Sequence, residues 1–301
     1  MTRPVSRCVN TMTEIWQSVP PSLLTVGLCL VAAIVIPLGL LLLRLQWSLS
    51  AANRRLAALE VTVQKEAKTL RSKVLRDMRI TARKEYRLQE AYWSLTQVLS
   101  PREPLPPTRA WAASPDLLKY LYEQVRLRRP SQVMELGGGV STLVIAYALS
   151  RNGHGKLISV DHDAQYMERT ADTVKRHGLT DQVEFKLAPL EPFEGGEQAW
   201  YARAALDGLE PIDLLLVDGP PADTHDLARL PAIAALHGSL STSALVLLDD
   251  GIRKAEQDIA AQWAKPLACE PEYLAFEKGL FVFDLANLSQ SALDDEHIAT
   301  H

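Results

Sequence analysis

At 301 residues the chain has room for one large domain or two small ones, and its 47% hydrophobic and 23% charged residues are those of an ordinary folded protein. The net charge of −4 hides a split: the chain is basic through Ser94, with Arg and Lys crowding positions 54 to 87, and acidic from Pro101 onward. An acidic globular part argues against a nucleic-acid reader. The scattered Cys8, Cys29 and Cys269, with no C-x-x-C pair, argue against zinc or disulfides and for a reducing compartment.

Residues 1–22 form a short polar lead, and Leu23 to Leu43 then carries no charge at all. A run of roughly twenty apolar residues is what a helix needs to cross a bilayer, so a transmembrane helix is expected over 23–44. Pro37 is tolerated in such a span, Trp16 and Trp47 lie near its ends, and Arg44 closes it. A cleaved signal peptide is the alternative, with Ser50-x-Ala52 as a passable cleavage site, but signal-peptide cores run to only about 7–15 residues. Arg44, Arg54 and Arg55 follow the span and only Arg3 and Arg7 precede it, which puts the carboxyl side in the cytoplasm as a single-pass membrane protein.

Residues 45–98 read as a basic juxtamembrane helix, free of Pro and Gly from 51 onward. Leu56, Val63 and Leu70 keep a seven-residue spacing that Asp77 breaks, and Val74, Met78 and Ala82 then shift the stripe. Either a short coiled coil making a homo-oligomer through 51–98 or a helix lying on the protein or membrane fits that pattern. Arg71, Lys73, Arg76, Arg79, Arg83, Lys84 and Arg87 offer a surface for anionic headgroups or a lipid-linked glycan, or simply a solvated helix face.

Prolines at 101, 104, 106 and 107 mark a linker over 99–110, and a domain over 111–287 follows, with a disordered tail over 288–301. Ser114-Pro115-Asp116 starts a helix that runs to Arg129-Pro130. Strands at 132–136, 156–160, 183–187, 212–217 and 244–248 then alternate with helices at 141–150, 164–177, 226–238 and 252–264, and strand-like pieces close the series at 272–276 and 279–283. This alternation specifies an α/β fold, a mostly parallel sheet with helices on both faces. Between the first strand and helix lies Glu135-Leu136-Gly137-Gly138-Gly139-Val140-Ser141, a turn that lets the backbone approach a ligand, and Asp161 ends the second strand. A glycine turn followed by a strand-terminal acid one βα unit later is an arrangement that holds a nucleoside.

Glu135-x-Gly137-x-Gly139-x-Ser141, Asp161 and Leu214-Leu215-Leu216-Val217-Asp218-Gly219-Pro220-Pro221 resemble a class I S-adenosylmethionine-dependent methyltransferase over roughly 110–285. The resemblance implies a Rossmann-like sheet with its last strand antiparallel and S-adenosylmethionine as cofactor. It carries cofactor contacts onto Glu135, Gly137, Gly138, Gly139, Ser141, Asp161 and Asp218. Ser141 stands where a third glycine is common, and Ala188-Pro189 where many members place an acid near the adenine. Asp218 and the pair Asp249-Asp250 end neighbouring strands in that order, as in cation-dependent O-methyltransferases, so the three are candidates to hold Mg²⁺ or a similar hard cation. Consecutive strand residues face opposite ways, so both Asp249 and Asp250 can ligate only if the chain turns there; otherwise Asp250 is a helix N-cap.

The candidate catalytic groups are Asp218, Asp250 and His225, the last for its near-neutral titration or else a plain surface histidine. Arg229 and Arg253 begin helices at the same edge, either to bind an anionic group on the acceptor or to pair with Asp218, Asp249 or Asp250. Trp111, Trp200 and Tyr201 are candidates for an acceptor pocket or for packing. The expected activity is O-methylation of a membrane-associated glycan or glycolipid-type acceptor. A dinucleotide-dependent oxidoreductase and a non-catalytic membrane scaffold are the rival readings.

Overall fold

The computed structural model describes residues 20–108, 110–196 and 198–286; most of the polar lead, Trp16 and the expected tail lie outside them. A single helix, α1 (Pro21–Leu99), contains both the apolar run and the basic segment, with Pro37 inside it. Its hydroxyl side chains do not interrupt it, because Thr25, Ser48, Ser50, Thr62, Thr69 and Ser72 donate to carbonyls three or four residues earlier. Residues up to Arg79 form one compact unit and those from Ile80 a second. Among the described residues, α1 is the one helix long and apolar enough to cross a membrane by length and composition, and none of its apolar window is buried.

In the second unit the last turns of α1 enter the core: Leu88, Leu95 and Leu99 are buried, and Lys84 Nζ donates to the Glu277 carbonyl at 3.1 Å. Helix α2 (Pro115–Arg128) follows, with Ser114 at its N-cap position. The Ser114 hydroxyl donates to Asp116, whose carboxylate in turn accepts from the Leu117 amide at 3.0 Å. Next come β1 (Gln132–Leu136), α3 (Val140–Asn152), β2 (Lys156–Asp161), α4 (Ala164–Arg176) and β3 (Val183–Leu187). The chain continues through β4 (Leu190–Pro192), β5 (Ala199–Tyr201), β6 (Ile212–Val217), α5 (Pro231–Leu236) and β7 (Leu240–Leu248). It ends in α6 (Lys254–Leu267), β8 (Glu272–Leu274) and β9 (Leu280–Asp284).

Seven strands make one sheet in the order β3-β2-β1-β6-β7-β9-β8. The first five are mutually parallel, and β9 runs antiparallel to both β7 and β8. This is a Rossmann-like arrangement, with the last strand reversed as expected. The central strands are mostly apolar because both faces are covered, with Glu135 of β1 a buried exception. Val133, Leu214, Leu216, Leu245 and Leu247 pack under α2, α3 and the end of α1, whereas Met134, Leu136, Leu215, Val217, Val246 and Leu248 pack under α5 and α6.

Register sets the functional edge. Leu136 lies opposite both Val160 and Val217, and Val217 opposite Leu248. The next residues, Gly137, Asp161, Asp218 and Asp249, therefore leave four strands at one level, where the strand order reverses.

Three local expectations are corrected. The helix expected over 226–238 shrinks to Pro231–Leu236, because the residues before it form turns, with Leu227 in the left-handed region at φ 56°. The helix expected from 252 starts at Lys254 with Arg253 as its N-cap, so Asp250 does not cap it. A small antiparallel hairpin, β4–β5, has no counterpart in the sequence reading.

Candidate functional site

The glycine turn is locked to its neighbours by main-chain bonds that continue the ladders: Gly137 N–H donates to Val160 O and Asp218 N–H to Leu136 O, each at 2.9 Å. Gly137 sits at φ +88°, and a β-carbon there would lie 3.0 Å from the Asp218 carbonyl carbon and the Gly219 nitrogen. At Gly138 a β-carbon would come within 2.7 Å of Ser159 Oγ. The turn is a cradle that side chains would fill.

Beneath it lies Glu135, fully buried, accepting from Thr142 Oγ1 at 2.5 Å and Ser159 Oγ at 3.1 Å. Burial pushes its carboxyl up to about 7, against the pull of hydrogen bonds from Ser141, Thr142 and Ser159. Among the described residues its Oε1 has no partner within hydrogen-bonding geometry. Thr142 Oγ1 also accepts from the Gly139 amide at 2.9 Å, tying the turn to that buried acid.

Asp161, 5% exposed, accepts from the Asp163 amide at 2.9 Å and lies 3.3 Å from His162 Nδ1. That contact raises the His162 pKa. Asp163 caps α4 by accepting from the Gln165 and Tyr166 amides, and the cap delivers Tyr166 over the turn. The Tyr166 hydroxyl stands 3.3 Å from where a Gly139 β-carbon would be. Burial, then the charges of Asp161, Asp218 and Glu135, raise its pKa. From β5, the hydroxyl of Tyr201 is buried without a partner, and a β-carbon on Gly219 would collide with it.

The structure thus brings together Glu135, Gly137, Gly138, Gly139, Ser141, Asp161 and Asp218. Two buried polar groups with no partner in hydrogen-bonding geometry among the described residues, Glu135 Oε1 and the Tyr201 hydroxyl, lie at a cradle of bare backbone, which fits a nucleoside-bearing amino-acid cofactor. His162, Tyr166 and the Thr142–Ser159 pair were not singled out by the sequence, although the spacing of His162 and Tyr166 from Asp161 was a usable signal.

At the next two strand ends the acids gather. One oxygen each from Asp218, Asp249 and Asp250 lie within 4.8 Å of one another. The turn required for this is present, because Asp250 adopts the left-handed conformation at φ 60°. Yet a guanidinium sits among them. Arg229 Nη2 lies 2.8 Å from Asp250 Oδ2 and 3.2 Å from Asp218 Oδ1, and donates to the Asp218 carbonyl at 2.9 Å. Its Nη1 donates to the Asp249 carbonyl at 3.1 Å. Arg253 Nη1 holds the same Asp250 oxygen at 2.8 Å, so both arginines take the pairing role of the two expected for them.

Burial and the neighbouring Asp250 push Asp249 up to about 6. Burial and Asp249 raise Asp218 too, with Arg229 pulling it back. Lys278, on the β8–β9 turn, lowers both, and no sequence pattern marked it. His225 is exposed on the turn before α5, its Nδ1 3.2 Å from the Asp226 carbonyl, and among the described residues it bonds none of the three acids. Trp111 is exposed, while Trp200 and Tyr201 line a cavity of about 480 Å³ beside the β4–β5 hairpin with Phe193, Arg203 and Leu206.

Residues 134–251 match the family described as "Methyltransferase domain". The match covers the stretch from β1 to the acid cluster. Over 145 residues, 46% of its length, the chain is 28% identical to the O-methyltransferase hkm8 of Aspergillus hancockii. It is likewise 28% identical over 116 residues to a catechol O-methyltransferase of Niastella koreensis. The chain spans about half of each of these relatives, 50% and 48%. Among solved structures, the SAH-bound Podospora anserina methyltransferase PaMTH1 aligns at 16% identity and a TM-score of 0.49, covering 68% of this chain and 93% of that one.

Proposed function

We propose that this protein is a single-pass, membrane-anchored O-methyltransferase that uses S-adenosylmethionine on a hydroxyl of a glycan or glycolipid-type acceptor at the cytoplasmic face. One observation carries the reading: the left-handed turn at Gly137 and the Asp161 carboxylate reach the same sheet edge as the acid cluster. The methyltransferase-domain match and relatives named as O-methyltransferases support it.

Glu135, Gly137, Gly138, Gly139, Ser141 and Asp161 hold the cofactor, with Asp161 on the ribose hydroxyls and the bare turn against the amino-acid part. When bound, S-adenosylmethionine supplies a methyl group on a positively charged sulfur. The protein must then align the acceptor oxygen and take its proton. Asp218 is placed for both, because it follows β6 next to the turn and keeps 13% of its side chain open. Asp250, clamped by two arginines, orients the cluster and is not the proton acceptor.

The apolar first part of α1 motivates the anchor, and the exposed basic residues from Arg71 to Arg87 motivate an anionic, membrane-held acceptor. Leu56, Val63 and Leu70 are exposed and offer a stripe to a second copy. The test is transfer of labelled methyl from S-adenosylmethionine into lipid-linked glycans of membranes containing the wild-type chain or Asp161→Ala. Label in a lipid-linked pool with the wild type alone is expected. An unlabelled lipid-linked pool would contradict the acceptor class, and binding of NAD in place of the methyl donor would contradict the reaction.

A further inference from the structure

The acidic cluster has the donor set of a hard-cation site, three carboxylates with their oxygens within 4.8 Å. What it lacks is a set of oxygens free of positive charge, because Arg229 and Arg253 both hold Asp250 Oδ2 at 2.8 Å. The Arg229 side chain is only 4% exposed, and its guanidinium touches all three acidic residues, through side-chain oxygens of Asp218 and Asp250 and through the Asp249 carbonyl. Oxygen ligands bind Mg²⁺ at about 2.1 Å, so an ion held by Asp250 Oδ2 would lie within about 5 Å of Arg229 Nη2, inside a low-dielectric cleft.

Positive charge already lies among these acids. Asp218, Asp249, Asp250 and Glu256 face Arg229 and Arg253, with Glu256 Oε1 3.8 Å from each guanidinium. Among the described residues Asp249 Oδ2 and Glu256 Oε2 have no hydrogen-bond partners, and Asp249 meets Arg229 through its main-chain carbonyl. The sequence offered Arg229 as one of two arginines able to pair with these acids; the turns before Pro231 are what carry it to them.

We propose that the guanidinium of Arg229 is the resident cation of this cluster, so that the site operates without a divalent metal ion. Arg229 is a positioning residue: it holds Asp218 and Asp250 in the arrangement that the acceptor meets. The inference rests on the methyl-transfer reading only where activity is measured, because ion binding is read independently of turnover.

The experiment is Mn²⁺ binding to the full-length chain in detergent micelles, followed by the electron paramagnetic resonance of the free ion. Wild type and Arg229→Lys are expected to take up no Mn²⁺ at micromolar concentration. Arg229→Ala is expected to take up one ion per chain, and the combination with Asp250→Asn to lose it again. Methyl transfer by wild type is expected to be unchanged in excess chelator. If Arg229→Ala does not fold, the wild type alone decides. One bound Mn²⁺ per wild-type chain, lost in Asp250→Asn, overturns the proposal, and so does a folded Arg229→Ala that binds none. An inactive chain showing the expected binding pattern would sink the methyl-transfer reading and leave this one standing.

Discussion

Gly137 and Asp218 touch through their backbones: a β-carbon on the glycine would meet the Asp218 carbonyl carbon at 3.0 Å, so the ends of β1 and β6 are held together where no side chain fits. Gly137→Ala must force both a left-handed alanine and that contact. A left-handed non-glycine residue costs about 1–2 kcal/mol before any steric term, so S-adenosylhomocysteine affinity should fall about tenfold or more. Isothermal titration measures this, and far-UV circular dichroism should remain that of the wild type. Undiminished affinity would remove the glycine turn from the cofactor site.

Glu135 makes stability depend on pH in a direction set by its raised pKa. Below the ordinary value of 4.5 both folded and unfolded chains hold the proton, and burial carries no ionisation penalty. As pH rises from there to about 7 the unfolded chain ionises first, and stability is lost. At about 1.4 kcal/mol per pKa unit the loss is about 3 kcal/mol, complete above the folded pKa. Glu135→Gln, which cannot ionise, should shrink the drop in thermal midpoint between about pH 5 and about pH 8 in cofactor-free protein. An equal drop in both proteins would show that Glu135 keeps its charge when folded.

Tyr201 separates a ligand role from a packing role. Its hydroxyl is buried without a partner in the protein, so Tyr201→Phe should leave the thermal midpoint of the cofactor-free chain unchanged or raise it. Should the hydroxyl serve the cofactor, the same substitution lowers S-adenosylhomocysteine affinity by about tenfold, the equivalent of one net hydrogen bond. A lowered midpoint with unchanged affinity would assign the hydroxyl to the fold alone.

The end of each apolar run was legible because parallel strands covered on both faces keep most polar residues for where they emerge, Glu135 and Ser159 being the buried exceptions. Gly137, Asp161, Asp218 and Asp249 follow β-strand stretches that admit almost nothing else. The register that levels them is a consequence of the parallel sheet, so their common edge could be read from the sequence. It left open whether Arg229 and Arg253 pair with these acids or with an acceptor, and it did not mark Lys278. Arg229 enters through turns with no periodicity, Lys278 arrives from a hairpin sixty residues after Asp218 in the chain, and strands as short as β4 and β5 have too few residues to alternate. The turn at Asp250 was equally hidden, since a left-handed aspartate looks in sequence like the N-cap that was the alternative.

The apolar first part of α1 makes its own prediction. The full-length chain should stay with the membrane pellet after high salt and alkaline carbonate washes. Val31→Arg combined with Ile36→Arg, each costing about 2.5–3.5 kcal/mol at the middle of a span, should move it to the supernatant. Release of the wild type by salt alone would reduce the anchor to an electrostatic surface contact.

The account stands most directly on the carboxylate at the end of β2. Titration of the full-length wild type and of Asp161→Ala with S-adenosylhomocysteine, and in parallel with NAD, measures its role. The account predicts heat from S-adenosylhomocysteine with the wild type, its near-complete loss in Asp161→Ala, and none from NAD with either protein. Binding that survives the substitution intact, or heat from NAD alone, would contradict it.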